Sequence, residues 1–233
     1  VLHKRLSSGR LSATGSTFAG FAYACPLAAL VLFCYLTVLD VTLPALAPSF
    51  WLWAVLGGLG QILATVLVVL AFRERNFAVG ITLKKTEVIQ TALVGLLLLG
   101  EVVSPLGWLG ITIGLAGVLL LTKTPGLEAG LWQQLRGRAV LLGLGSGFFF
   151  ALAGVGYRAA TLAVESDDPL LRAGLALVLV TLGQALGLAA WLRWREPGEL
   201  ARVWGARRAA IWLGVTSMAG SLARTSAAQV SRS

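Results

Sequence analysis

Six stretches of 18 to 23 residues are mostly apolar, five of them with at most one charge: Thr17–Leu39, Phe50–Phe72, Phe77–Leu99, Pro105–Thr122, Ala139–Tyr157 and Leu170–Leu192. No other property of the chain restricts its fold so severely. Crossing the hydrocarbon core of a bilayer takes about 20 mostly apolar residues. In lipid there is no water to bond an exposed peptide group, so such a stretch must satisfy its own backbone, as a helix does. A seventh stretch, Ala209–Leu222, has 14 residues and is marginal for a span. Only 12% of the residues are charged and 57% are hydrophobic; an ordinary soluble domain has about 25% charged. This balance argues against a water-soluble globular enzyme. The blocks have no fixed short period, which argues against collagen and coiled coil. The predicted fold class is all-α, a polytopic membrane helix bundle of about seven transmembrane helices. Val1–Gly15 is polar and basic, and the block after it is too long for a signal core, so no cleavable signal peptide is expected.

The connections between blocks alternate between two sides, and their charges separate. One side collects Val1–Ser16, Arg73–Asn76, Lys123–Arg138 and Arg193–Arg208, with 13 basic residues against Glu74, Glu128, Glu196 and Glu199. The other carries Arg172, Arg224 and Arg232 against Asp40, Glu101, Glu165, Asp167 and Asp168. Cytoplasmic loops of membrane proteins are enriched in Lys and Arg, so the basic side is expected in the cytoplasm. A basic surface for nucleic acid would not alternate loop by loop, and no nucleic-acid partner is expected. Trp51, Trp53, Trp132, Trp191, Trp194, Trp204 and Trp212 cluster at block ends, as an interfacial aromatic belt requires.

Glycine is spread through the blocks. Gly110 and Gly114, Gly143 and Gly147, and Gly183 and Gly187 are pairs four residues apart, a spacing that lets membrane helices approach closely. A faint internal echo links Lys4-Arg5 and Trp51–Gly58 with Tyr157-Arg158 and Ile211–Val215. Its two copies fall on opposite sides of the charge count, as in an inverted repeat.

The block Phe77–Leu99 concentrates the candidate chemistry. Gly80, Lys84, Glu87, Thr91 and Gly95 are spaced four, three, four and four apart and form one helical stripe, with Gln90 beside it. Glu87 lies about 15 Å along the helix from Phe77, near the middle of a core of about 30 Å. Charge at that depth must face protein or water. The stripe is read either as a substrate- or proton-binding face or as a neutralised pair that fixes helix packing. Lys84, Glu87, Gln90 and Thr91 are the candidate binding residues, together with Gln61. Gln61 and Gln184 are amides within other blocks that either bond a solute or bridge helices, and bridging is preferred. Pro26 is expected to kink the first block.

The chain is read as not an enzyme. His3 is the sole histidine, which leaves His-based zinc or triad chemistry almost nothing to work with. Cys25 and Cys34, nine residues apart, fall on opposite sides of a helix. No nucleotide-binding Gly-Lys-Ser/Thr loop or serine elbow is present. No cofactor and no metal are expected.

Certain motifs have a familial look. Glu74–Thr122 contains Leu99-Gly100-Glu101, then Trp108-Leu109-Gly110-Ile111, then Gly117-Val118-Leu119-Leu120, preceded by Arg75–Gly80 and Lys84 or Lys85 with Thr86-Glu87. With Lys4–Ser7, Thr17–Phe21 and Pro26 upstream, the chain resembles the EamA-type branch of the drug/metabolite transporter superfamily. The resemblance implies an inverted five-plus-five helix architecture that moves solute by alternating access. On that plan residues 1–124 would be a first repeat without its first helix, 125–138 a cytoplasmic linker, and 139–233 a truncated second repeat. It would place Val1–Ser16 outside, whereas the charge count, which draws on every loop, places it in the cytoplasm. The function so implied is a secondary transporter of small metabolites or drugs, with export the expected direction, in a bacterial inner membrane. Its partners are a small-molecule solute and the lipid bilayer, with a homodimer left open. The alternative is a non-transporting membrane protein or an inactive fragment.

Overall fold

A computed structural model describes residues 11–74, 77–121 and 137–205. The block Ala209–Leu222, the Lys4-Arg5 and Ile211–Val215 parts of the internal echo, and the 122–136 part of the loop before Arg138 lie outside the described residues. Among the described residues the structure is helical: α1 Ala13–Leu39, α2 Ser49–Ala71, α3 Phe77–Lys84, α4 Glu87–Leu99, α5 Pro105–Leu121, α6 Arg138–Leu162, α7 Pro169–Arg195 and α8 Glu199–Gly205. Four of them, α1, α2, α6 and α7, are long and apolar enough to cross a membrane.

Local sequence sets the ends. Ser12 caps α1, its hydroxyl accepting the Gly15 amide at 2.9 Å. Asp40 closes α1 in the left-handed region, at φ 50°. Asp168 caps α7, its Oδ1 accepting the Leu170 amide at 2.9 Å, and Pro169 follows, where its missing N–H costs nothing. α1 runs through Pro26 as one helix, although proline removes the bond its amide would give the Ala22 carbonyl.

The block Phe77–Leu99 is not the single helix that its composition suggests. It is interrupted at Lys85–Thr86, between α3 and α4. There the Lys85 amide bonds the Thr82 carbonyl and the Thr86 amide bonds the Leu83 carbonyl, each at 3.0 Å, a tighter pattern than the α-helical one. The Thr86 hydroxyl also donates to the Leu83 carbonyl at 2.7 Å. Back-bonding of this kind bends helices.

The chain forms two compact units, residues 1–58 with 156–233, and residues 59–155. In the first, α1 and α7 pack side by side. They are antiparallel, because Thr14 meets Glu196 at one end and Tyr35 meets Asp168 at the other. Leu32, Phe50, Ala160, Leu171, Leu175 and Val180 form the unit's core. Gly156 touches Gly57 closely enough that a β-carbon there would lie 2.7 Å from the Gly57 Cα. At one end the Leu46–Val164 bridge ties two connections together, with the Ala47 amide on the Ala163 carbonyl at 2.9 Å. At the other end α8 folds back: Glu199, 2% exposed, accepts the Ser12 amide and pairs with Arg202.

In the second unit the broken α3–α4 segment lies along α6. A β-carbon on Gly80 would sit 2.6 Å from the Ala139 carbonyl oxygen, and one on Gly143 would sit 2.8 Å from the Gly80 carbonyl carbon. Val94 packs with Ala151 and Val155 further along. The backbones approach this closely because neither helix presents a side chain there.

Candidate functional site

The break in the second unit brings the charged residues together. Lys84 ends α3 and Glu87 begins α4, and across the two-residue interruption the Lys84 Nζ donates to Glu87 Oε2 at 2.5 Å. Both side chains are partly covered, 22% and 28% exposed. The same ammonium stands 4.2 Å from the centre of the Phe150 ring on α6, within range of a cation–π attraction. The pair is neutral as a whole, which is how charge is tolerated in apolar surroundings. Opening it exposes one charge of each sign.

Gln90 lies one turn on. Its Nε2 donates to the Thr86 hydroxyl at 2.9 Å, while its Oε1 is buried and accepts no hydrogen bond among the described residues. The Gln90 amide covers Gly147, where a β-carbon would be 3.3 Å from Oε1 and 3.2 Å from the Lys84 carbonyl oxygen. Gly147 therefore gives the Gln90 side chain its place. The Thr91 hydroxyl donates to the Glu87 carbonyl at 2.7 Å, which anchors it to its own helix.

Four of the five expected binding residues thus stand on one segment, with Lys84, Glu87 and Gln90 converging beside α6. Gln61 lies on α2, where its carbonyl accepts the Thr65 hydroxyl at 2.7 Å. Gln184, in the first unit, bridges helices by donating from Nε2 to the Gly58 carbonyl at 3.1 Å. The site also includes two residues that sequence reasoning passed over. Phe150 supplies an aromatic face for Lys84 and Thr86 an acceptor for Gln90. The run Phe148-Phe149-Phe150 was the visible trace of the first, but only the helix pairing selects which ring faces the ammonium.

The glycine pairs divide. Gly143 and Gly147 line the α3–α4 contact, whereas a β-carbon at Gly110, Gly114, Gly183 or Gly187 would meet nothing within 4 Å among the described residues.

A second polar cluster closes the end of the first unit where the C-terminus of α1 meets the N-terminus of α7. The Tyr35 hydroxyl donates to Asp168 Oδ2 at 2.6 Å. That bond holds the Asp168 carboxyl below its ordinary range, helped by the Leu171 and Leu170 amides and the Arg172 charge and opposed by partial burial.

No family model matches the chain, and neither a curated protein nor a solved structure matches it.

Proposed function

We propose that this chain is an integral membrane secondary transporter, an exporter of small metabolites or drugs that works by alternating access. The observation that carries the reading is the interruption of an apolar segment at Lys85–Thr86 beside an ammonium–carboxylate pair. Carriers build solute and ion sites where spanning helices are discontinuous, because irregular backbone and charge at membrane depth are tolerated only against protein or a water-filled cavity. On this reading α3 and α4 together make one span and α5 another. With the four long helices and the block Ala209–Leu222, the count comes to about seven, part of an EamA-like inverted repeat divided at 125–138. The location is a bacterial inner membrane with the basic loops in the cytoplasm.

The chemistry assigned to the site follows from its contacts. A proton taken up by Glu87 breaks the pair and leaves Lys84 held by the Phe150 ring. The closed and opened pairs are then two states of one element, biased by protons and by solute. The unbonded Gln90 Oε1 is an acceptor for a solute donor.

Proteoliposomes containing the full chain and a lumenal pH dye test this. Amino acids, nucleosides and organic cations are added in turn, and a transported solute should drive proton movement. Glu87→Gln should abolish that movement. Full pH-coupled transport by the variant would remove Glu87 from the mechanism. A non-transporting membrane protein is the second reading, favoured by the closure of the Lys84–Glu87 pair on itself. It predicts no proton movement with any solute, and a change only in thermal stability for Glu87→Gln.

A further inference from the structure

The last turn of α7 carries an arrangement that neither helix packing nor the transport reading employs. Leu192 is fully buried there, while Trp191, Arg193, Trp194 and Arg195 point outward, Trp191 45% and Trp194 73% exposed. The two indoles meet edge to face, with centroids 6.3 Å apart and planes at 88°. The Arg195 guanidinium sits 4.7 Å from the Trp194 ring centre and 5.6 Å from that of Trp191. Neighbouring carboxylates are occupied elsewhere: Glu196 accepts the Thr14 hydroxyl, and the buried Glu199 accepts the Ser12 amide and Arg202.

A guanidinium stacked on aromatic faces keeps its in-plane N–H donors, and that planar fork matches a phosphate oxygen pair. The negative end of the helix dipole accounts for arginine in a last turn. It does not account for two exposed indoles fixing the cation in place. Exposed tryptophan belongs at the headgroup level of a bilayer, and Arg193 adds a second positive charge. Below the cluster, Gly183, Gly187, Ala190 and Trp194 fall within about 60° of one another around the helix. This leaves a shallow strip about 16 Å long beneath the indole, bordered on one side by the exposed Leu186.

We propose that the Trp191–Trp194–Arg195 cluster binds the phosphodiester headgroup of an anionic phospholipid, whose acyl chain lies along the Gly183–Ala190 face. Charge complementarity names the occupant: two arginines beside an indole pair, at the end of the helix that the loop charges mark as basic. The site requires a membrane but not transport.

Native mass spectrometry of the full chain with phosphatidylglycerol or phosphatidylcholine of matched acyl chains tests it. Phosphatidylglycerol should be retained preferentially. Arg195→Gln should weaken its binding about fivefold, with helical content by circular dichroism unchanged. Arg195→Lys, which keeps the charge but not the fork, should give a smaller loss. Arg138→Gln, at a paired arginine elsewhere on the basic side, should have no effect. Equal retention of the two lipids overturns the proposal, as does an equal loss in the Arg138 and Arg195 variants. Displacement by millimolar inorganic phosphate would reduce the site to a simple anion site and overturn the lipid assignment. Cross-linking that finds Trp194 covered by a second copy of the chain would reassign the face to a dimer.

Discussion

A β-carbon added at Gly143 would strike the backbone of Gly80, and one added at Gly183 would meet nothing within 4 Å among the described residues. Two glycines with the same local spacing therefore have opposite sensitivities. Gly143→Ala should cost about 1–3 kcal/mol, the range for inserting a group into a packed contact, and lower the melting temperature in detergent. Gly183→Ala should be neutral or stabilising by up to about 1 kcal/mol, because alanine favours the helix. Equal melting temperatures for the two variants would refute the close approach of α3 and α6. The ion pair is also testable at this scale. Lys84→Met and Glu87→Gln should be non-additive in a double-mutant cycle, with a coupling of about 0.5–3 kcal/mol for residues in contact. Additive effects would mean that the two side chains do not pair.

The ends of the elements depend on contacts between residues remote in sequence. Glu199 is buried against the start of α1, where it accepts the Ser12 amide and Arg202. Glu199→Ala should leave that amide unsatisfied at a cost of about 1–3 kcal/mol. Limited proteolysis should then cut first near Ser12, and an unchanged cleavage pattern would show that α8 does not hold this end. The Asp168–Tyr35 bond supplies a pH dependence. Its folded carboxyl titrates below the unfolded value of about 3.9. The stabilisation is therefore fully present above that value and is lost as pH falls through the folded one. Tyr35→Phe should lower the melting temperature near neutral pH, and the gap from the native protein should close on acidification below about pH 4. A gap that persists at low pH would assign the effect to packing of the ring.

Across the whole molecule, contacts within each unit join connections that the charge count assigns to one side. Ser12 and Thr14 meet Glu199 and Glu196 on the basic side, and Arg138 lies 3.4 Å from Glu74, also on the basic side. Ala45 and Ala47 bond Glu165 and Ala163 on the acidic side. In a chain with Cys25 and Cys34 replaced by serine, a cysteine at the exposed Thr42 should react with an impermeant thiol reagent added outside intact cells. One at the exposed Ala201 should react only after permeabilisation. Labelling of both in intact cells would overturn the alternation, and the reverse pattern would invert the orientation.

Helices and their lengths were legible in the sequence because both follow from short-range composition. An apolar run with no water to bond must close its own hydrogen bonds. The sequence likewise marks Lys84, Glu87, Gln90 and Thr91 as polar residues within an apolar run. What it does not contain is the partner across the gap. The break at Lys85–Thr86 rests on a hydroxyl bond and tightened amides that composition does not register. The choice of Phe150 among three successive phenylalanines depends on the rotation of α6 against α3. So does the contrast between Gly143 and Gly183, since a missing side chain matters only where another backbone comes close enough to occupy its space. Those features are relations between helices, and tertiary packing alone decided them.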